Sequence, residues 1–204
     1  MEIKAVRQPR DGVLKELVES ACRFGASDAT GVSVSDISVE EALANLCREP
    51  QCENYGLSAG CPPNVSGPSG FRELLKTAEE VVVFKIDVPW EILFSNERRD
   101  IFRLLHEVAA NIEQAAVERG YPDSKAFAGG SCKQIFCYNH PLCRVLEKGE
   151  PCRNSRIARP SMSGFGINVS TLMQAAGWTL NWTARVGHGN TISMGTVCGL
   201  VVIA

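Results

Sequence analysis

The sequence predicts an α/β protein, one domain over residues 1–204 built as a layered sheet with flanking helices and a long cysteine-rich metal-binding loop. Two observations carry this. Apolar residues recur at helical spacing in two segments, and β-branched runs lie between and after them. With 204 residues and 45% hydrophobic content, the chain can bury one substantial core.

In the first helical segment, over 12–24, Val13, Leu14, Leu17, Val18, Ala21 and Phe24 fall on one face and Gly25 marks the stop. Cys22 is expected on its buried stripe. DATGVSVSDISV, over 28–39, alternates as a half-buried strand does. A short helix through Phe71, Leu74 and Leu75 leads into EVVVFKIDV, whose β-branched run reads as a central strand. Ile101, Phe102, Leu105, Val108, Ala109, Ile112 and Ala116 set a long helix over 97–118, ended by Gly120 and Pro122, with His106 expected at its surface. KAFAGG is a short strand. From Cys132 to about 168 the text is loop-like, and a loop of that length is usually functional. Another short helix over 169–177 and a closing strand pair, TLNWTARV and SMGTVCGLVVIA around the turn GHGN, complete the chain.

The formal charge of -2 and a pI near 6.0 offer no electrostatic reason to bind nucleic acid or an anionic membrane. Neither a bilayer-length apolar run nor a secretory leader is read, so the chain is expected in the cytoplasm. In that reducing compartment a count of nine cysteines argues against structural bridges, and the clustered ones are expected to bind metal.

Seven of the nine fall into two sets, within segments 45–66 and 129–168. The first, LCREPQCENYGLSAGCPPN, holds Cys47, Cys52 and Cys61 and ends in Cys-Pro, as the bacterial ferredoxin run does. Three cysteines leave one position of a cubane open to Cys22, a histidine, a carboxylate or a substrate. The second set, Cys132, Cys137, Cys143 and Cys152, suffices for one cubane or one tetrahedral zinc. C-x2-C, the common zinc knuckle, does not occur in the chain. Arg144, Lys148, Arg153, Arg156 and Arg159 outnumber Glu147 and Glu150 around the second set. Such charges would raise a cluster's potential, hold an anionic ligand or dock an acidic partner. Arg153, Arg156 and Arg159 are the candidate cofactor-binding residues. Arg156, Arg159, Ser161 and Ser163 could equally form a buried structural network. Cys198 reads as core; His140 and His188 lie in loops. Tyr55, Tyr138, Trp178 and Trp182 could shield a cluster or simply pack.

The GCPP step together with PCRNSRIARPSMSGFGINV resembles a prokaryotic family of predicted metal-binding proteins of unknown function, over roughly residues 45 to 178. The resemblance implies that the seven clustered cysteines are the ligand positions and that an iron–sulfur cluster is the usual occupant. It brings no established reaction.

Three functions follow as expectations. The first is an iron–sulfur protein with one or two [4Fe–4S] clusters, in electron transfer or small-molecule chemistry at an open iron, served by a redox partner protein or a small-molecule substrate. The second is a zinc-stabilised binding module with an arginine-rich site. The third is a metal or cluster carrier. No nucleotide-binding glycine motif, hydrolase triad or paired carboxylate is read from the chain.

Overall fold

The computed structural model describes residues 10–179, 183–186 and 190–204. Strand β1 is Asp28–Val32, β2 Glu80–Pro89, β3 Lys125–Ala128, β4 Thr183–Val186 and β5 Asn190–Ile203. Helix α1 is Arg10–Arg23, α2 Glu41–Asn45, α3 Gly67–Thr77, α4 Arg98–Glu118, α5 Cys132–Phe136, α6 Arg144–Lys148 and α7 Val169–Ala175. The α/β expectation holds.

The sheet order is β1-β2-β5-β3, with every neighbouring pair antiparallel and β4 paired to the start of β5. Because β2 and β3 are both antiparallel to β5, they run parallel to each other. Helix α4 is the crossover between them, and β5 returns along the gap. β2 is interior, as its β-branched run predicts.

Successive side chains of a strand point to opposite faces, and both faces of this sheet are covered. Val82, Phe84 and Ile86 of β2 pack with Val201 and Ile203 of β5 under Leu17 of α1 and Leu105, Val108 and Ile112 of α4. Val81 and Val83 pack with Leu200 and Val202 on the other face, under Phe71, Phe165, Leu172 and Met173. The result is three layers with the sheet in the middle. Gly199 is glycine because a Cβ there would sit 2.5 Å from the ring of Phe84.

Several expectations need correction. His106 is wholly buried (0% exposed) on the inner side of α4, and Cys22 is exposed. Each residue of a helix turns about 100° from the last, so with Ala21 buried Cys22 swings to solvent. The half-buried strand proposed over 28–39 stops at Val32, where Ser33 starts a 3-10 turn by accepting the Ser35 N–H on its hydroxyl. The stretch after Cys132 is not a bare loop, since α5, α6 and a 3-10 turn at Met162–Phe165 break it. Cys198 is core, as expected. Trp182 and His188 lie outside the described residues.

Candidate metal centre

At its end β3 meets chain from two distant regions. Ala128 N–H donates to Pro160 O at 3.1 Å and Ala128 bridges Ser161, whose N–H donates to Gly60 O at 2.9 Å. Three backbone passes therefore lie side by side, and the next residues along two of them are Cys61 and, after the Gly129–Gly130 turn, Ser131 and Cys132. The approach is close. A Cβ on Gly60 would stand 3.4 Å from Pro160 Cα and 3.5 Å from Cys132 Sγ. Cys61 is buried, and its thiol donates to Ser131 Oγ at 3.4 Å.

The first set is shaped by tight turns. Cys52 N–H donates to Cys47 O at 3.0 Å, and Gly56 N–H to Pro62 O at 2.7 Å. Cys47, Cys52 and Cys61 all line one cavity of about 330 Å³, together with Asn54, Tyr55, Arg98, Phe102, Gln134 and Ser161 among others. Burial, then the neighbouring Cys52 and Cys61, push the Cys47 thiol above its ordinary range. A second cavity of about 460 Å³ adjoins it, sharing Asn54, Arg98 and Gln134 and opening toward Phe94, Arg99, Lys133 and Tyr138.

The second set is held by residues from both segments. Cys132 is pushed up to about 11, first by burial, against the pull of the adjacent Ser58 hydroxyl, then by Cys61, Cys152 and Cys143. At Cys143 burial also raises the thiol, but the Leu146, Ala59 and Val145 backbone N–H groups and the Arg153 charge outweigh it, and the net shift is downward. Asn154 serves two sulfurs at 3.4 Å each, its backbone N–H toward Cys152 and its Nδ2 toward Cys137. Lys133 Nζ clamps the intervening loop by donating to Cys137 O at 2.9 Å and His140 O at 2.6 Å. Ala59 and Ser58 come from the first segment, so the second set is completed across the fold.

The thiol surroundings fit a metal-bound state. Ser58 Oγ is buried beside Cys132, and a thiolate sulfur there is a stronger acceptor for its hydroxyl hydrogen than the thiol. N–H groups aimed at Cys137, Cys143 and Cys152 favour sulfur in its charged form. Among the described residues, no group of three His, Cys, Asp or Glu side chains converges tightly enough to be read as a single-ion site.

The arginines divide. Arg159 pairs with Glu113 at 2.5 Å, both largely buried, and donates to Ser155 O and Ala158 O, while its N–H donates to His106 Nδ1 at 3.0 Å. Of the network weighed above, Arg159 alone takes part in these bonds, and its partners are Glu113 and His106 instead of Arg156, Ser161 and Ser163. Arg153 is exposed beside Cys143 and donates to Leu142 O, and Arg156 is exposed. Tyr55 lines the first cavity and Tyr138 the second. Trp178 instead donates to Asp28 Oδ2 and packs on the far core. Arg98, Asn54, Gln134 and Asn154 are missing from the sequence reading. Only Asn154 had a signal, two residues after Cys152; the others reach the site through folding alone.

A three-layer α/β fold with two cysteine sets meeting at one wall defines a thiol-rich metal-binding class. The chain belongs to the predicted metal-binding protein family DUF2284, whose model matches residues 30–203. No curated protein and no solved structure matches it. No helix among the described residues is long and apolar enough to cross a membrane.

Proposed function

We propose that this is a two-centre iron–sulfur protein. Cys132, Cys137, Cys143 and Cys152 would hold a closed [4Fe–4S] cluster for electron transfer. Cys47, Cys52 and Cys61 would hold a second cluster whose fourth position faces a small-molecule substrate. The observation that carries this reading is that the three thiols of the first set share one cavity with polar side chains, while the four of the second are served by N–H donors. When bound, such centres supply one-electron transfer and, at an iron without a protein ligand, Lewis acidity.

The chain's own residues do the rest. Asn154 and the backbone N–H groups at Cys143 draw electron density from the second set and favour the reduced state. Arg153 adds positive charge there. Ser131 orients Cys61, and Phe102, Tyr55 and Leu93 narrow water access to the first set. A redox partner protein would approach at Cys137, where Tyr138 is exposed and Arg99 lies 3.9 Å above its ring. All nine cysteines are free thiols, which suits a reducing compartment such as the cytoplasm.

Iron, acid-labile sulfide and zinc per chain, with an electron paramagnetic resonance spectrum of protein purified without oxygen, test the reading. About eight irons with matching sulfide support two clusters and about four support one. Zinc near one equivalent without sulfide would replace this reading with the zinc-stabilised module.

A further inference from the structure

The cavity at the first cysteine set carries features that metal binding does not use. Arg98, at the start of α4, makes no ion pair among the described residues. Asn54 and Ser161 are each only 8% exposed and line the cavity, yet neither side chain hydrogen-bonds to a described residue. Their polar atoms open on the cavity rather than being sealed in the core, so a ligand or water there completes them. Of the other polar groups, Gln134 Nε2 donates to Glu53 and Ser131 accepts from Cys61, while Tyr55 and Ser163 also line the cavity.

We propose that this cavity binds a small organic carboxylate, gripped by Arg98, with Asn54 and Ser161 receiving its remaining polar atoms. Among the described residues lining it, the single full charge is that of Arg98, and no carboxylate opposes it. A guanidinium matches the planar, singly charged carboxylate with two parallel hydrogen bonds. A phosphate dianion calls for more positive charge or a nest of backbone N–H groups than one arginine supplies. At about 30 Å³ per water, 330 Å³ is the space of about eleven waters. Once an inorganic centre takes its part, what remains suits a ligand of a few carbons. The proposal rests on the iron–sulfur reading for what happens to the ligand, not for its capture, because Arg98, Asn54 and Ser161 are present whatever the thiols hold.

The test is equilibrium dialysis of the purified, metal-assayed full chain against radiolabelled acetate, lactate and malonate, with lactamide and inorganic phosphate as competitors. At least one carboxylate should bind, resist displacement by lactamide and outcompete phosphate. Binding should weaken about tenfold or more in Arg98→Gln and recover in part in Arg98→Lys. Ser161→Ala should weaken it less, and Arg99→Gln, next in sequence, should leave it unchanged. No binding by any of the three, stronger binding of phosphate, or equal binding by Arg98→Gln overturns the proposal. Zinc in place of iron with Arg98-dependent binding intact would sink the cluster reading alone. Iron and sulfide without such binding would sink the carboxylate alone.

Discussion

Cys61 donates its thiol hydrogen to Ser131 Oγ at 3.4 Å, tying the last cysteine of the first set to the residue that precedes the first cysteine of the second. Cys61→Ser should therefore lower the metal content of both sets. Cys52→Ser, at an exposed position on the cavity rim, should empty the first set alone. Metal and sulfide per chain in the two variants decide it, and a full second set in Cys61→Ser would show that the sets load independently.

Asn154→Ala removes the Nδ2 donor at Cys137 and keeps the backbone donor at Cys152. With iron bound, the expected outcome is an unchanged iron content and a reduction potential lower by on the order of tens of millivolts, because a sulfur with fewer hydrogen bonds disfavours the extra electron. A redox titration followed by electron paramagnetic resonance reads it. An unchanged potential would mean that the two groups do not interact in the loaded protein.

The Arg159–Glu113 pair should behave as a structural clamp. Arg159→Met leaves Glu113 buried and unpaired, at a cost of roughly 3–5 kcal/mol. Glu113→Gln should cost less, since its amide oxygen still accepts the Ala126 N–H. Urea denaturation of both measures this. A stable Arg159→Met that has lost ligand binding would instead return Arg159 to the cofactor-binding role expected from the sequence.

His106 is held down from 6.5 to about 4, chiefly by burial, with the Gly129 backbone opposing and Arg159 adding to the shift. A depressed histidine favours the folded state fully above 6.5. That contribution is lost as pH falls toward 4, because the unfolded chain takes up the proton first. The loss is on the order of 3 kcal/mol across that window. Asn at position 106 retains an acceptor for the Arg159 N–H, so His106→Asn should flatten the decline in stability between pH 6.5 and 4. Urea midpoints at several pH values would show it, and an equally steep decline would assign the acid sensitivity elsewhere.

Much of the layered core is legible in the sequence because it is periodic. The β-branched run of β2 and the apolar stripe of α4 are long and regular, and both elements form where the pattern lies. α5 and α6, five residues each, are too short for a period to show. His106 escaped because it reads as polar, and its burial makes sense only with Arg159, 53 residues away, as its partner. The cysteine sets are legible as sets, since spacing and flanking prolines are local. Their common wall is not, because it depends on Gly60, Ala128 and Ser161 pairing across a hundred residues of chain.

That three-way pairing also bears on how the protein matures. During synthesis Gly60 leaves the ribosome first, Ala128 well after it and Ser161 later still, so Cys47, Cys52 and Cys61 emerge before the wall they fold against exists. Any inorganic centre placed there earlier would sit on an open, solvent-washed run of turns. Loading of such a centre would then wait for a nearly finished chain, and a truncation before residue 161 should leave even the first three cysteines unable to retain added metal.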